Sequence, residues 1–143
     1  MRQRSNMSDL IAKITFNEEP LSPINQYAVR VMKRLVNGIL IPFGMMYLPQ
    51  KFTLYKKRFR THAEKTLTID AIYEGPIKVV IRYYFSSKRK KDIKNAGKLE
   101  LDALNDLLYK DDDQITATQE EKFYDKNNPR IELEFYKHTT NGF

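Results

Sequence analysis

The sequence predicts an α+β fold in a single domain, with a small mixed β-sheet packed against two main helices. Two periodicities support this fold class. Apolar side chains alternate along residues 77–85, as in a strand, and recur every three or four positions along residues 48–67, as in a helix. The length of 143 residues suits one domain, and the 41% hydrophobic content argues against a disordered chain.

The first half of the chain is predicted to form a strand, a hairpin and a long helix. Residues 10–16 alternate in polarity and predict the first strand. Residues 26–47 are rich in apolar side chains and are divided by Asn37-Gly38, a dipeptide that favours a two-residue hairpin turn because both positions accept a positive φ. Residues 48–67 predict the first helix.

The second half is predicted to contain a central strand, a second helix and two further strands. Residues 77–85 carry apolar groups on both faces, which favours a central position in the sheet. Residues 94–109 predict the second helix, in which Gly97 is expected to cost about 1 kcal/mol relative to alanine. Residues 114–118 and 131–136 predict the last two strands. The buried stripe of the second helix is predicted to consist of Leu101, Leu104 and Leu108.

The chain is predicted to have three parts, namely a flexible arm at residues 1–9, a folded domain at residues 10–137 and a loose tail at residues 138–143. No apolar run is long enough to span a bilayer. The amino-terminal residues lack the apolar segment of a secretory signal. We therefore expect a cytoplasmic protein without a membrane partner.

The composition excludes several kinds of catalytic and metal-binding site. The absence of cysteine excludes disulfides, thiolate zinc sites and cysteine nucleophiles. His62 and His138 are the two histidines of the sequence, so a histidine-based metal site is not expected. Lys and Arg number 25 against 18 acidic residues, a net charge of +7. This surplus suits a polyanionic partner, although an ordinary soluble surface accounts for it equally well.

The most informative stretch is residues 92–115, DIKNAGKLELDALNDLLYKDDDQI. It begins with Asp92, continues through the second predicted helix and ends shortly after three consecutive acids, and the basic run at residues 88–91 precedes it. Carboxylates at both ends of one helix, with cations beside them, suit a divalent metal acting on a phosphate, because hard cations prefer carboxylate oxygens.

This stretch resembles the RusA family of Holliday junction resolvases, which are endonucleases common in phages and prophages. The residues that carry the resemblance are Asp92, Asn95, Lys98, Asp102-Ala103-Leu104, Asp111-Asp112 and Gln114-Ile115. The resemblance implies a RusA-like, dimerising domain. It also implies a Mg²⁺-dependent endodeoxyribonuclease that resolves four-way DNA junctions by paired phosphodiester hydrolysis in DNA recombination and repair.

The resemblance also implies roles for individual residues. Asp92, Lys98 and Asp112 are the implied catalytic residues. Asp92 and Asp112 are the implied metal ligands, Asp111 is an auxiliary ligand, and Lys98 contacts the reacting phosphate. Asp102 has two interpretations: its i,i+4 spacing would let it orient Lys98, or it is an ordinary acid on a helix surface.

The implied DNA contacts are the cations of the basic run and of the second helix: Lys88, Arg89, Lys90, Lys91, Lys94 and Lys98. In isolation, such a run is typical of a solvated loop. Beside the acids, it is predicted to clamp the DNA backbone, and each neutralised phosphate would add about 0.9 to the salt dependence of affinity for duplex DNA.

One position departs from the family pattern, because Lys94 stands where the family has its second Asp. A protonated lysine does not ligate a hard cation and repels it. Three consequences stay open. The protein could bind branched DNA without cutting it. Asp113 could complete the site, although Asp112 and Asp113 would point to opposite faces of an extended segment unless a bulge intervenes. Lys94 could instead turn outward and contact a phosphate.

The apolar hairpin at residues 26–47 has three interpretations: it covers the domain's own core, it belongs to a dimer interface, or it forms a wedge that enters an opened junction. A homodimer would match the two-fold symmetry of a four-way junction. Besides the resolvase and the non-cutting relative, a third functional hypothesis is a small basic interaction domain without a nucleic-acid role.

Overall fold

The computed structural model describes residues 9–21, 28–47, 49–68, 70–89, 93 and 96–139. Among these residues the chain forms six strands and two helices, which confirms the predicted α+β class. The elements are β1 (Leu10–Phe16), β2 (Ala28–Val36), β3 (Ile39–Tyr47), α1 (Gln50–Thr66), β4 (Ile77–Phe85), α2 (Lys98–Ala103), β5 (Ile115–Tyr124) and β6 (Arg130–Lys137).

Four strands form a mixed sheet in the order β1-β6-β4-β5. β6 runs antiparallel to both β1 and β4, whereas β4 and β5 run parallel. β4 lies between two neighbours, so its predicted central position is confirmed. Ile77 is opposite Ile115, and Phe85 is opposite Tyr124. The parallel pair therefore places the start of β5 beside the start of β4.

The core lies between one face of this sheet and α1. Residues of β4 alternate between buried and half-buried, so one face of the strand is fully covered. α1 buries the positions that its periodicity predicts, namely Phe52, Tyr55, Phe59 and Ala63. The ring of Phe16 on β1 packs edge-on against Tyr55 and Phe59, with centroid separations of 5.5 and 5.3 Å. Truncating a buried aromatic such as Phe59 is expected to cost about 3–5 kcal/mol.

The second helix is shorter than predicted, because α2 covers Lys98–Ala103 instead of residues 94–109. Gly97 precedes the helix with a φ of 81°, and Asp106 follows it with a φ of 63°. These left-handed residues interrupt a helix on both sides, so the prediction that Gly97 lies inside a helix is wrong.

The predicted leucine stripe is nevertheless largely buried. Leu104 and Leu108 are fully buried in successive turns after α2, while Leu101 is half-buried. These leucine side chains, spaced three and four residues apart, are therefore covered although no continuous helix joins them.

β2 and β3 form a separate two-stranded hairpin around Asn37 and Gly38, both of which have positive φ, as the sequence predicts. Among its described residues, the apolar side chains at residues 31–41 are solvent-exposed. The most exposed are Val31, Leu35, Ile39 and Leu40, at 62–70%. The interpretation that the hairpin covers the domain's own core is therefore wrong for the apolar side chains at residues 31–41.

Other boundaries differ by a few residues. β5 extends to Tyr124, beyond the predicted end at residue 118. His138 donates its backbone N–H to the Pro76 carbonyl at 3.1 Å. Residues 1–8 and 140–143 lie outside the described residues, so the predicted flexible arm and loose tail stay predictions. In the described part of the chain, no helix is long and apolar enough to cross a membrane.

Candidate metal and phosphate site

The three consecutive acids form a turn, which we call the acid turn (residues 111–114), immediately before β5. Residues 112–114 make a single 3-10 turn that Asp111 caps. The Asp113 N–H donates to the Asp111 carboxylate at 3.1 Å, and the Gln114 side-chain oxygen accepts from the N–H of Asp111 at 3.1 Å. This reciprocal capping replaces the extended segment that the alternation of Asp112 and Asp113 would require.

Gln114 holds the acid turn against the loop that leads into β4. Its side-chain oxygen also accepts from the Lys110 N–H at 2.9 Å. Its amide nitrogen donates to the carbonyls of Tyr73 at 2.8 Å and Gly75 at 3.1 Å. The sequence pattern included Gln114 without a role. The structure gives it one, because this side chain fixes the acids at the amino ends of β4 and β5.

Asp111 and Asp112 are adjacent carboxylates at the start of the acid turn. Burial is the main reason why the pKa of Asp112 is raised, and hydrogen bonding to Asp111 and the charges of Asp111 and Asp102 raise it further. The pKa of the exposed Asp111 is lowered, first by its hydrogen bond with Asp112 and then by the Asp113 N–H. Two carboxylates this close repel each other when both are ionised, and a bound cation relieves that repulsion.

These donors fit a hard divalent cation, which takes carboxylate oxygens as ligands. The pair does not complete a site by itself, because no group of three or more acidic or histidine side chains is positioned to hold a metal among the residues described. Asp92 and Lys94 lie outside those residues. The implied approach of Asp92 to Asp112, and the position of Lys94, therefore stay predictions.

Tyr109 connects the acid turn to α2. Its hydroxyl donates to the Leu101 carbonyl, and its buried ring lies 6.0 Å from the ring of Phe135. Burial raises the pKa of Tyr109, and the charges of Asp112, Asp102 and Asp111 raise it further, in that order. Tyr109 is therefore a buried phenol within electrostatic reach of all three carboxylates.

Asp102 pairs with α1 and not with Lys98. Its carboxylate forms an ion pair with the Lys56 ammonium and accepts from the Asn105 side-chain amide at 3.1 Å. Lys98 is exposed at the first position of α2 and makes no ion pair with any described residue. The interpretation that Asp102 orients Lys98 is not supported, and no ion pair with a described residue holds the Lys98 ammonium away from a phosphate.

Arg60, one turn after Lys56 on α1, holds the end of α2. One of its terminal nitrogens donates to the carbonyls of Ala103 and Asn105, both at 2.8 Å. A cation at these carbonyls satisfies groups that a helix end leaves without partners, and it complements the helix dipole. α1 therefore positions the segment that carries Lys98 and leads to the acid turn.

Glu100 is a buried acid that sequence reasoning missed. It is 1% exposed, and burial raises its pKa to about 7, although the Tyr55 hydroxyl beside it opposes the shift. Neither carboxylate oxygen has a partner at hydrogen-bond geometry among the described residues. Its spacing was the available signal, because it follows Ala96 by four positions and precedes Ala103 by three, which places it on the buried stripe.

The described part of the basic run lies at the other end of the sheet from the acid turn. Lys88 and Arg89 follow the carboxyl end of β4, whereas Asp111 and Asp112 precede the start of β5. The nine residues of β4 make eight steps of about 3.3–3.4 Å, which separate the two ends by roughly 27 Å. Lys88 and Arg89 therefore do not border the acid turn, and their role as DNA contacts stays a prediction. Lys90 and Lys91 lie outside the described residues.

A family model for endodeoxyribonuclease RusA matches residues 20–136 of the chain. The matched region contains the hairpin, α1, α2, the acid turn and the sheet except for β1. A comparison with curated proteins gives no match.

Proposed function

Because the chain belongs to the RusA family, whose members are endodeoxyribonucleases that resolve Holliday junctions, we propose that it is a Mg²⁺-dependent enzyme that cuts four-way DNA junctions in recombination and repair. The observation that supports this function best is the capped turn that presents the adjacent carboxylates of Asp111 and Asp112. Gln114 holds that pair at the edge of the sheet, within the matched region.

Phosphodiester hydrolysis needs a polarised phosphate, an activated water and a stabilised leaving oxygen. When bound, Mg²⁺ supplies Lewis acidity and lowers the pKa of a water ligand. In the proposed site, Asp112 and Asp111 hold the cation together with Asp92, and the exposed Lys98 ammonium contacts the reacting phosphate as a point charge. Because carboxylates bind metal in their ionised form, the raised pKa of Asp112 makes cation affinity increase with pH.

The alternative is a relative that binds branched DNA without cutting it. The replacement of a family Asp by Lys94 motivates it, because a cation at that position would compete with the metal for the carboxylates. The described residues hold two adjacent carboxylates and no third acid in ligand position. This arrangement is compatible with either outcome.

The protein is also proposed to act as a homodimer, because a four-way junction is two-fold symmetric and needs two paired cuts. The exposed apolar side chains of the β2–β3 hairpin favour a second copy of this chain as their partner. An isolated two-stranded hairpin is marginally stable in water, and burial against a symmetry-related hairpin would stabilise it.

The test uses the full chain with a labelled four-way junction and a linear duplex of matched sequence, with Mg²⁺ or with a chelator. We expect paired symmetric cuts in the junction with Mg²⁺, and their loss in Asp112→Asn. Asp106→Asn is the matched control, because Asp106 is exposed and asparagine accepts its positive φ.

Other results separate the alternatives. Tight junction binding without cuts, with cleavage gained in Lys94→Asp, would establish the non-cutting relative. Retained cleavage that Asp113→Asn abolishes would identify Asp113 as the compensating acid. Equal, salt-independent binding to junction and duplex would reject both DNA functions and leave the basic interaction domain.

Lys98→Ala is predicted to impair cutting far more than binding. The exposed ammonium would act on the charge that develops at the phosphate, and loss of one such contact typically lowers the rate by about 100- to 1,000-fold. Junction affinity is expected to change less than about threefold. Lys57→Ala removes the same charge from the exposed face of α1 and serves as the control. Parallel losses of binding and cutting in Lys98→Ala would contradict this role.

A further inference from the structure

A cleft of about 260 Å³ lies beyond the carboxyl ends of β4 and β5, at the end of the sheet opposite the acid turn. We call it the aromatic cleft. Three aromatic and three cationic residues contribute to its lining: Phe85, Phe123, Tyr124, Lys88, Arg89 and Lys122. Such a combination is typical of surfaces that bind single-stranded nucleic acid, where rings stack on bases and cations follow the backbone.

The aromatic side of the cleft is held by the sheet. Phe123 stacks on Tyr84 with a centroid separation of 4.9 Å, and the Arg130 guanidinium lies 3.7 Å from the Tyr84 ring centre. Tyr124 pairs in register with Phe85, so both belong to one face of the parallel strands. Tyr124 remains 47% exposed, which leaves ring surface available to a planar ligand.

The charged side of the cleft is cationic. The Lys88 ammonium lies 5.0 Å from the centre of the Tyr124 ring, and the Arg89 N–H donates to the Ser87 hydroxyl at 3.1 Å in the turn after β4. The acid that follows Tyr124, Asp125, is paired with Arg130 at 2.9 Å. The cleft therefore presents positive charge beside an exposed ring.

We propose that the aromatic cleft binds an unstacked nucleotide of a DNA strand, with the base on Tyr124 and the adjoining phosphate at Lys88 and Arg89. Duplex bases are covered by their neighbours, so a ring at this position selects a base that is already open. The cleft and the acid turn lie at opposite ends of β4, so the cleft is a surface separate from the acid turn. The inference rests on the proposed function for its DNA substrate, and it adds recognition of an open base to it.

The experiment measures binding of the full chain to a 12-nucleotide thymidine-rich single strand that contains one 2-aminopurine, at low salt and without a divalent metal. We expect Tyr124→Ala to weaken binding about tenfold, since stacking of a base on an aromatic ring contributes strongly to single-strand affinity. Tyr124→Phe keeps the ring and should bind within about twofold of the wild type. Quenching of 2-aminopurine by the wild type should be lost in Tyr124→Ala.

The contribution of the cationic residues is tested with two matched lysine variants. Lys88→Ala is expected to weaken binding and to reduce the salt dependence by about 0.7, the value for one phosphate of a single strand. Lys126→Ala removes the same charge from an exposed turn residue beyond the cleft and should change neither quantity. If Tyr124→Ala fails to fold by circular dichroism, the contrast between these two lysine variants decides the question.

Single-strand affinity that Tyr124→Ala leaves within twofold of the wild type would overturn the proposal. An equal loss on a blunt linear duplex would overturn it as well. Junction cleavage is assayed separately, so the two proposals fail independently. If the protein cuts junctions and Tyr124→Ala binds the single strand as the wild type does, only the proposal for the aromatic cleft is rejected. A protein that stacks the base on Tyr124 but never cuts rejects the resolvase function alone.

Discussion

Glu100 links the stability of this protein to pH near neutrality. Its pKa is raised from 4.5 to about 7 in the folded protein, chiefly by burial. Between these two values the folded state binds more protons at this group than the unfolded state does. The free energy of unfolding therefore falls as pH rises from about 4.5 to about 7, and this loss is complete above that range. At about 1.4 kcal/mol per pKa unit, the loss is on the order of 3 kcal/mol.

Glu100→Gln is expected to remove this loss, because glutamine resembles the protonated acid and does not ionise. Urea unfolding should give similar stabilities for wild type and variant at pH 5, and a variant more stable by up to about 3 kcal/mol at pH 8. Glu121→Gln, on the exposed edge strand β5, provides the control and should leave the pH dependence unchanged. A stability difference of equal size at both pH values would show that ionisation of Glu100 is not the cause.

Gly97 allows α2 to begin directly against β4. A side-chain carbon added there would lie 2.6 Å from the Tyr83 hydroxyl oxygen and 3.1 Å from the Ile81 terminal methyl group, at a φ of 81°. We expect Gly97→Ala to lower the free energy of unfolding by more than the roughly 1–2 kcal/mol that a left-handed conformation costs alanine. Urea titration measures the difference.

Gly38 supplies the matched control, because it has a similar φ of 78° with nothing within 4 Å of an added carbon. Gly38→Ala should show the backbone cost alone. Combining Gly97→Ala with Tyr83→Phe should recover part of the excess, since the nearest atom is then absent. Equal effects of alanine at the two glycines would disprove the close approach to Tyr83.

At the scale of secondary structure, sequence periodicity predicted the elements whose burial it determines directly. α1 and β4 each bury one regular set of positions, so their type and approximate bounds followed from pattern alone. Residues 94–109 have a helical pattern too, but Gly97 and Asp106 adopt left-handed backbone conformations, so α2 is confined between them. Tertiary packing, which a local pattern does not contain, determined this outcome.

The sequence suggested the acidic residues of the candidate site, but it did not predict the contacts that position them. The motif identified Asp111, Asp112 and Lys98, whereas the pairing of Asp102 with Lys56 depends on how α1 packs against α2. The opposite locations of Lys88 and the acid turn follow from the parallel pairing of β4 with β5. A sequence motif lists neighbours along the chain and does not show which strand ends meet.

Gln114 is the residue through which the acid turn, as an element, is most easily tested. Its side chain joins the N–H groups of Lys110 and Asp111 to two carbonyls of the loop before β4. Loss of groups that support metal ligands typically lowers affinity about 10- to 100-fold. For Gln114→Ala, we expect the Mg²⁺ concentration needed for half-maximal junction cleavage to rise at least tenfold, with little change in the rate at saturating Mg²⁺.

Gln119→Ala, at an exposed position on the following strand β5, is the control for this variant and should leave the Mg²⁺ requirement unchanged. Calorimetric titration with Ca²⁺ gives a second readout that does not depend on catalysis. A Gln114→Ala variant with wild-type cation affinity by both methods would show that the acid turn forms its site without this tether.

At the scale of the whole molecule, the described residues form a packed sheet-and-helix body and a hairpin whose apolar side chains at residues 31–41 face solvent. Large apolar patches on a soluble domain usually mark an interaction surface. The hairpin presents Leu35 and Leu40 from paired positions beside its turn, at 68% and 62% exposure. Two copies related by a two-fold axis could bury such a surface while each retains its own acid turn. Dimerisation would therefore connect the hairpin to paired cutting.

The combined change Leu35→Ser and Leu40→Ser is expected to convert a dimer into a monomer, because it removes apolar surface from the centre of the proposed contact. Light scattering at micromolar concentration should give twice the 17.0 kDa chain mass for the wild type and the single-chain mass for the variant. Leu54→Ser, at a 45% exposed apolar position on α1, controls for the loss of an exposed leucine and should stay dimeric.

Junction cleavage by the monomeric variant should leave single nicks in place of paired cuts, because the second active site no longer arrives with the first. A monomeric wild type, or a variant that remains dimeric, would show that the hairpin is not the dimer interface. The exposed side chains of the hairpin would then bind some other partner, and this surface would not explain paired cuts.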